Sequence, residues 1–246
     1  MHAEPPRSML AKASDILGAF TVEHPVLSQA EITRRANLPH STTRRLIAEM
    51  VDHGLLEKTA DGEFVLGLRL WELGSISHRV LSLRDTAMPF MTVLNQALGQ
   101  HVQLAVREGN EAAIVERVSA TNAVALQLKL RNRVPLHASG AGKALLAFAT
   151  ATEIDAFLAQ PLSELTAKTI TDPTQLRQDL DQIRQRGYAI VREETQLGVA
   201  AVAAPIINRR RHVVASLSVV VPHQLTDPEK LVQGVRAAAK AISAAL

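Results

Sequence analysis

The stretch LSQAEITRRANLPHSTTRRLIAEMVDHG, residues Leu27–Gly54, holds two short helical patterns separated by a turn signal. Ser28 and Glu31 form a capping box, which predicts that the first helix begins at this point. Asn37-Leu38-Pro39 ends that helix, because the residue before a proline avoids the helical conformation. A second helix is predicted to follow, with Gly54 as its left-handed cap. This arrangement is typical of a helix-turn-helix, so the sequence favours DNA binding.

The second helix, predicted from His40 to His53, carries the groups suited to reading DNA. Its inner face is predicted by an apolar stripe that includes Leu46 and Met50. Hydroxyls at a helix start can meet phosphates, and an arginine can read guanine with two hydrogen bonds. The predicted DNA contacts are His40, Ser41, Thr42, Thr43, Arg44 and Arg45, with Ser28, Arg34 and Arg35 on the preceding helix. A solvated helix face explains Arg34 and Arg35 equally well.

A short hairpin is predicted directly after the helix pair. Leu55–Lys58 and Glu63–Leu66 resemble two strands, and an Asp-Gly pair between them is a strong turn signal. A helix from about Ser8 to Glu23 supplies the third helix needed to bury the apolar stripes. Three helices and a hairpin predict a winged helix-turn-helix over residues 8–67, in which Lys58 is placed to contact a phosphate.

Charge limits where such a protein can touch DNA. The chain has 246 residues and a net charge of +3, and its isoelectric point is about 9.5. Residues 1–85 contain ten Lys and Arg against eleven Asp and Glu, whereas Ser28–Ile47 contains four Arg and one Glu. The DNA-binding surface is therefore expected to be a local patch within the helix pair.

Composition excludes several other classes of site. The chain has no cysteine, which excludes disulfides, thiolate catalysis and cysteine-ligated metals and suits a reducing, cytoplasmic location. The N-terminal residues contain no long apolar run, so neither a signal peptide nor a membrane span is expected. We expect no cofactor and no metal.

The rest of the chain mixes strand and helix patterns. Residues 68–84 are predicted to form a linker helix whose apolar face could meet a second subunit, and residues 85–246 a second domain that begins with a helix at Asp85. The second domain is predicted to be α+β, with a mainly antiparallel sheet. Its strands are predicted at His101–Arg107, Ala112–Arg117, Val124–Lys129, Tyr188–Arg192, Ala200–Ile207 and His212–Val221, and its later helices at Ser139–Phe148, Glu153–Leu158, after Asp172-Pro173 and after Thr226.

Several motifs occur together in an order that resembles the IclR family of transcriptional regulators, over nearly the whole chain. They are Leu38-Pro39-x-Ser41-Thr42, Phe64-x-Leu66-Gly67, Leu73-Gly74-Ser75, Val134–Ala147 (VPLHASGAGKALLA), Gly187-Tyr188-Ala189 and Val202-Ala203-Ala204-Pro205. The resemblance implies a winged helix-turn-helix, a linker helix and a GAF-like domain that binds a small molecule. It also implies homodimers or tetramers on near-palindromic double-stranded DNA, with no membrane partner.

The turn at Ser139–Gly142 is the predicted start of the effector site. Free backbone N–H groups and the dipole of the following helix favour a carboxylate, although a tight turn for geometry alone is the alternative. His137 and Ala144 depart from a phosphate-binding P-loop. The resemblance adds pocket positions on the later strands. The predicted effector-binding residues are Ser139, Gly140, Ala141, Val191, Ala201, Ser218 and Val220.

Three of these positions are apolar where many family members are polar. An acidic residue commonly stands at Val191, a cysteine at Ala201 and a serine at Val220, with glycine at Val221. A pocket without those groups suits an organic acid with an apolar body, such as an aromatic or branched acid. It suits glyoxylate or pyruvate less well, because few groups remain to orient a very small ligand.

The leading hypothesis is a ligand-responsive regulator, expected to repress a catabolic operon. A regulator or architectural protein that binds DNA without an effector is the alternative. An enzyme is the remote one, because the sequence has no HExxH helix, no GxSxG elbow and no nucleophilic cysteine. A hydrolase would have to combine Ser139 and His137 with Glu193 or Glu194.

Overall fold

The computed structural model describes residues 8–21, 23–76, 78–120, 133–224 and 228–246. The chain divides into two compact units, Met1–His78 and Arg79–Leu246. The predicted strand Val124–Lys129 and the predicted capping residue Thr226 lie outside the described residues. Among the described residues, no helix combines the length and the apolar character needed to cross a membrane.

The first unit is a winged helix-turn-helix, as the sequence predicts. The strands pair antiparallel, and the turn between them places Gly62 at φ +83°, which glycine adopts without strain. Its elements are α1 (Met9–Leu17), α2 (Gln29–Ala36), α3 (His40–Asp52), β1 (Leu56–Lys58), β2 (Phe64–Leu66) and α4 (Leu68–Ser75).

The capping box at the start of α2 forms with both of its hydrogen bonds. The Ser28 N–H donates to a Glu31 carboxylate oxygen at 2.9 Å, and the Glu31 N–H donates to the Ser28 hydroxyl at 3.3 Å. Asn37 ends α2 in the left-handed conformation at φ +51°. These local signals fix the angle of the turn, and a single core beneath it joins the three helices to β2.

Two helix boundaries differ from the sequence-based prediction. Helix α1 ends at Leu17, capped by Gly18, rather than at Glu23. The predicted break at Asp85 is wrong, since α5 (His78–Leu98) runs through that position and the chain leaves the helix after Ser75 instead. Gly74 and Ser75 are poorer helix formers than the leucines before them, which favours an end at this point.

The described residues of the second unit form a six-stranded antiparallel sheet in the order β5-β4-β3-β8-β7-β6. Strand β5, beside the glycine turn, is absent from the sequence-based prediction. After α5, the elements are β3 (His101–Glu108), β4 (Glu111–Val118), β5 (Arg133–Pro135), α6 (Gly140–Leu146), α7 (Ala151–Leu158), α8 (Pro173–Arg186), β6 (Ala189–Arg192), β7 (Val199–Ile207), β8 (Val213–Pro222) and α9 (Pro228–Ala245).

Helices cover both faces of this sheet, because alternate residues of each strand point to opposite sides. One face, which includes Leu104, Leu217 and Val219, packs against α5 and α9. The other, which includes Ala105 and Ala203, packs against α6, α7 and α8. The central strands are therefore buried on both sides, and a polar residue within them has to be satisfied inside the fold.

Gly142 in α6 is expected to tolerate no side chain. A Cβ there would lie 2.5 Å from both the Leu136 Cα and the Pro135 carbonyl oxygen, which are backbone atoms that cannot step aside. We expect Gly142→Ala to lower the free energy of unfolding by about 1–3 kcal/mol, as overpacking does. Chemical denaturation would measure this loss.

Gly234→Ala in α9 is the matched control, because its Cβ would meet only leucine side-chain ends, the nearer at 3.1 Å. We expect its effect to stay within about 1 kcal/mol, since alanine also favours the helix. Equal losses in the two variants would contradict the steric argument.

Candidate functional site

The polar residues at the start of α3 are exposed or partly buried, except for Thr43, which is fully buried. His40, Ser41, Arg44 and Arg45 are exposed, and Thr42 is partly buried. Thr43 is fully buried, and its hydroxyl donates to the Pro39 carbonyl at 3.2 Å. The prediction that Thr43 contacts DNA is therefore wrong. Its spacing of three, four and seven residues from Leu46, Ile47 and Met50 places it on the apolar stripe.

The four arginines of this motif differ in their exposure and in the hydrogen bonds that they make. Arg45 donates to Glu49 at 2.6 Å, whereas Arg44 and Arg34 are exposed and make no hydrogen bond or ion pair with any described residue. Arg35 is partly buried, and its Nε has no hydrogen-bond partner in the described part of the chain. Arg44 thus combines a recognition-helix position with a guanidinium available for bidentate contact.

Two of the remaining predicted DNA contacts, Ser28 and His40, also make side-chain contacts within the protein. The Ser28 hydroxyl donates to Glu31 at 2.8 Å, and hydrogen bonds from Ser28, chiefly from its backbone N–H, lower the pKa of Glu31. His40 Nε2 lies 3.0 Å from the side-chain nitrogen of Gln29, which ties α3 to α2. Lys58 is exposed on β1. Their contacts with DNA stay predictions.

The second unit contains a cavity of about 80 Å³ at the start of α6. This is several times the room that one water needs. All seven residues predicted for the effector site line it, together with six that the sequence analysis did not identify. The additional residues are Gln103, Val134, Thr195, Gln196, Val199 and Ala200. In the sequence, the position of a glutamine among the apolar residues of β3 is the one signal that could have indicated Gln103 as a cavity residue.

The Ser139 turn builds one wall of this cavity. The Ser139 hydroxyl donates to the Pro135 carbonyl at 2.7 Å and accepts from the Gly142 N–H at 3.0 Å. The N–H groups of Gly140 and Ala141 have no partner among the described residues, as expected in the first turn of a helix. A Cβ at Gly140 would lie 3.1 Å from that of Ala201, so helix and sheet meet closely here.

Ser139 and His137 do not form a hydrolytic pair. The Ser139 hydroxyl is engaged with Pro135, and His137 Nε2 donates to the Ser163 carbonyl at 2.9 Å, which fixes the proton on that nitrogen. Burial lowers the pKa of His137, and the nearby Lys143 acts in the same direction. The nucleophile and base that a triad needs are thus held by other partners.

A buried cation lies behind the turn. Lys143 is 0% exposed, and its Nζ donates to Asp179 and Glu194, each at 2.7 Å. Burial raises the pKa of Glu194, against the opposing influence of the Lys143 ammonium. Because Glu194 directly precedes Thr195 on the cavity wall, this ion pair holds one side of the cavity to α6.

Known proteins match both units. The chain matches the model of the IclR helix-turn-helix domain over residues 9–60 and that of the bacterial transcriptional regulator IclR C-terminal domain over residues 77–244. The chain belongs to the IclR family of transcriptional regulators. It is therefore a DNA-binding regulator with a C-terminal effector-binding domain, and both matching domains are those of regulators rather than enzymes.

Individual relatives agree with the family assignment. The transcriptional repressor AllR of Escherichia coli K12 is 34% identical over 89% of this chain and 83% of its own, and the repressor IclR of that strain is 32% identical over 80% and 74%. A crystal structure of an IclR homolog from Microbacterium hydrocarbonoxydans, complexed with 4-hydroxybenzoate, is 38% identical, covers 97% of this chain and 99% of that one, and has a TM-score of 0.88.

Arg44→Ala is expected to weaken operator binding, because Arg44 is exposed on the recognition helix without an internal partner. A bidentate arginine–guanine contact predicts a loss of about 1–3 kcal/mol, a rise in Kd of roughly fivefold or more. A mobility-shift titration with the DNA upstream of the protein's own gene would measure it.

Thr43→Val is the control variant on the same helix. Since Thr43 is buried beneath that surface, its substitution should leave the Kd within about twofold of the wild-type value. Unchanged affinity in Arg44→Ala would remove Arg44 from the reading surface, and a large loss in folded Thr43→Val would restore Thr43 to it.

Proposed function

We propose that this IclR-family regulator represses a catabolic operon and responds to an aromatic carboxylic acid that binds in the α6 cavity. The observation that carries the proposal is a mainly apolar cavity lined by Gly140 and Ala141, whose N–H groups have no partner among the described residues. Such groups stabilise a carboxylate, while the apolar walls suit a ring. The repressors AllR and IclR among its relatives support the sign of regulation.

The walls of the cavity favour an aromatic acid over a small oxo acid. None of the described residues that line it is charged, and Val191, Ala201 and Val220 stand where polar groups are common in the family. Glyoxylate or pyruvate would bury few atoms against these side chains. The 4-hydroxybenzoate complex of the relative with 38% identity supports the same ligand class.

The regulator acts as a homodimer, or as a tetramer made of two dimers, on a near-palindromic operator. A single recognition helix reads only one half-site, so two-fold symmetry doubles the contact. Helix α4 also exposes the apolar side chains of Leu68 and Trp71, the latter 70% exposed, and its capping residue Ile76 is exposed as well. Apolar side chains clustered on the surface mark sites of association.

Isothermal titration of the purified regulator with benzoate, 4-hydroxybenzoate, glyoxylate and pyruvate tests the proposed ligand class. We expect the aromatic acids to bind at least about tenfold more tightly, because their rings bury apolar surface that the oxo acids lack. Tighter binding of the oxo acids would overturn the assignment. If none of the four acids gave a heat of binding, the alternative of a regulator that has no effector would be favoured.

Gly140→Val supplies the control for the location of the ligand. A side chain at residue 140 would enter the cavity wall against Ala201. We expect this variant to lose acid binding while it retains operator binding, which reports that the DNA-binding unit is intact. An unaltered affinity for the acids would place their binding outside this cavity.

A further inference from the structure

We propose that Gln103 is a specificity-determining residue, which selects aromatic acids that carry a second hydrogen-bonding group on the ring. The inference rests on the proposed function, since it concerns the same cavity. It adds that one side chain on β3 contacts the end of the ligand that is remote from the carboxylate.

The side chain of Gln103 is buried and lines the cavity. Its neighbours Val102 and Leu104 point into the core beneath α5 and α9, so Gln103 points to the opposite face of the sheet, where it lines the cavity. Gln103 is only 4% exposed, yet its side-chain amide has no hydrogen-bond partner among the described residues. An amide that loses its access to solvent without gaining a partner is costly, so a ligand that fills the cavity has to supply a hydrogen-bonding group for Gln103.

A second unpaired group lies directly beside it. Gln103 and Ser218 are cross-strand partners in the β3–β8 ladder, so their side chains are neighbours on the same face. Ser218 is 1% exposed, and its hydroxyl has no partner in the described part of the chain. Both residues line the cavity. Together they form a polar floor within walls that are otherwise mainly apolar.

Sheet order places Gln103 two strands away from the strand that Gly140 contacts. Gly140 lies over Ala201 and Ala203 of β7, and β8 and then β3 follow β7 in the sheet. Adjacent strands are about 4.8 Å apart, so the backbone of β3 lies roughly 10 Å from that of β7. In the proposed orientation, the carboxylate meets the Gly140 and Ala141 N–H groups and the opposite end of the ligand lies at Gln103.

The chemistry of the amide defines the substituent it selects. A glutamine side chain offers two N–H donors and a carbonyl acceptor, so it can both donate to and accept from a phenolic hydroxyl. An acid with a bare ring leaves the amide and the Ser218 hydroxyl buried and unpaired. A site built to hydrogen-bond a substrate group rejects analogues that lack the group.

Isothermal titration with 4-hydroxybenzoate and benzoate tests the assignment, with Gln103→Met as the variant of similar length without the amide. We expect the wild-type regulator to bind 4-hydroxybenzoate at least about tenfold more tightly than benzoate. In Gln103→Met this ratio should fall to about threefold or less, because 4-hydroxybenzoate loses its partner and benzoate no longer leaves an amide unpaired. Retained benzoate binding also shows that the variant cavity is folded.

Gln178→Met is the matched control, because it makes the same substitution at an exposed position of α8 that does not line the cavity. Its ratio should match the wild-type ratio. A wild-type ratio near one, an unchanged ratio in Gln103→Met, or an equal fall in Gln178→Met would overturn the role of Gln103 and leave the proposed function standing. Failure of both acids to bind the wild-type regulator would refute both proposals.

Discussion

The close approach of the α6 turn to its neighbours is the constraint on which the α6 cavity depends. Gly142 lies against the backbone of Pro135 and Leu136 and has no room for a side chain, while a Cβ at Gly140 would make a tight contact with Ala201. The sheet holds the turn from below, because the Ser216 hydroxyl donates to the Ala141 carbonyl at 3.1 Å. The cavity-lining turn that carries the unpaired N–H groups of Gly140 and Ala141 is thereby held in place before any ligand arrives, which reduces the entropic cost of binding.

The buried charge of Lys143 extends this constraint to the opposite wall. Its two carboxylate partners come from α8 and from the segment after β6, and the Thr169 hydroxyl donates to the Glu194 carbonyl at 2.7 Å. A buried ion pair contributes little net stability, but removal of one partner is costly because a charge is left unpaired. Its effect here is to hold Glu194, and with it Thr195, at a fixed distance from α6.

Features set by neighbouring residues could be predicted from the sequence, and features set by distant contacts could not. The capping box at Ser28, the Asp-Gly turn of the wing and the helix start at Ser139 are local, and the structure confirms them. The predicted turn at Ser139–Gly142 is the cap and first turn of α6 rather than a loop before it. The burial of Thr43 depends on which side of α3 meets the core. Gln103 enters the cavity only because β3 pairs with β8, a contact between residues more than a hundred positions apart.

The most direct measurement is a nuclear magnetic resonance titration of ¹⁵N-labelled protein with 4-hydroxybenzoate. Each backbone N–H gives its own signal, so the bound acid is located without any mutation. The account predicts that the signals of Gly140 and Ala141 shift most, since their N–H groups donate to the carboxylate, while those of the α3 surface stay in place. Large shifts confined to other parts of the chain, with Gly140 and Ala141 unmoved, would contradict the assignment of the effector site.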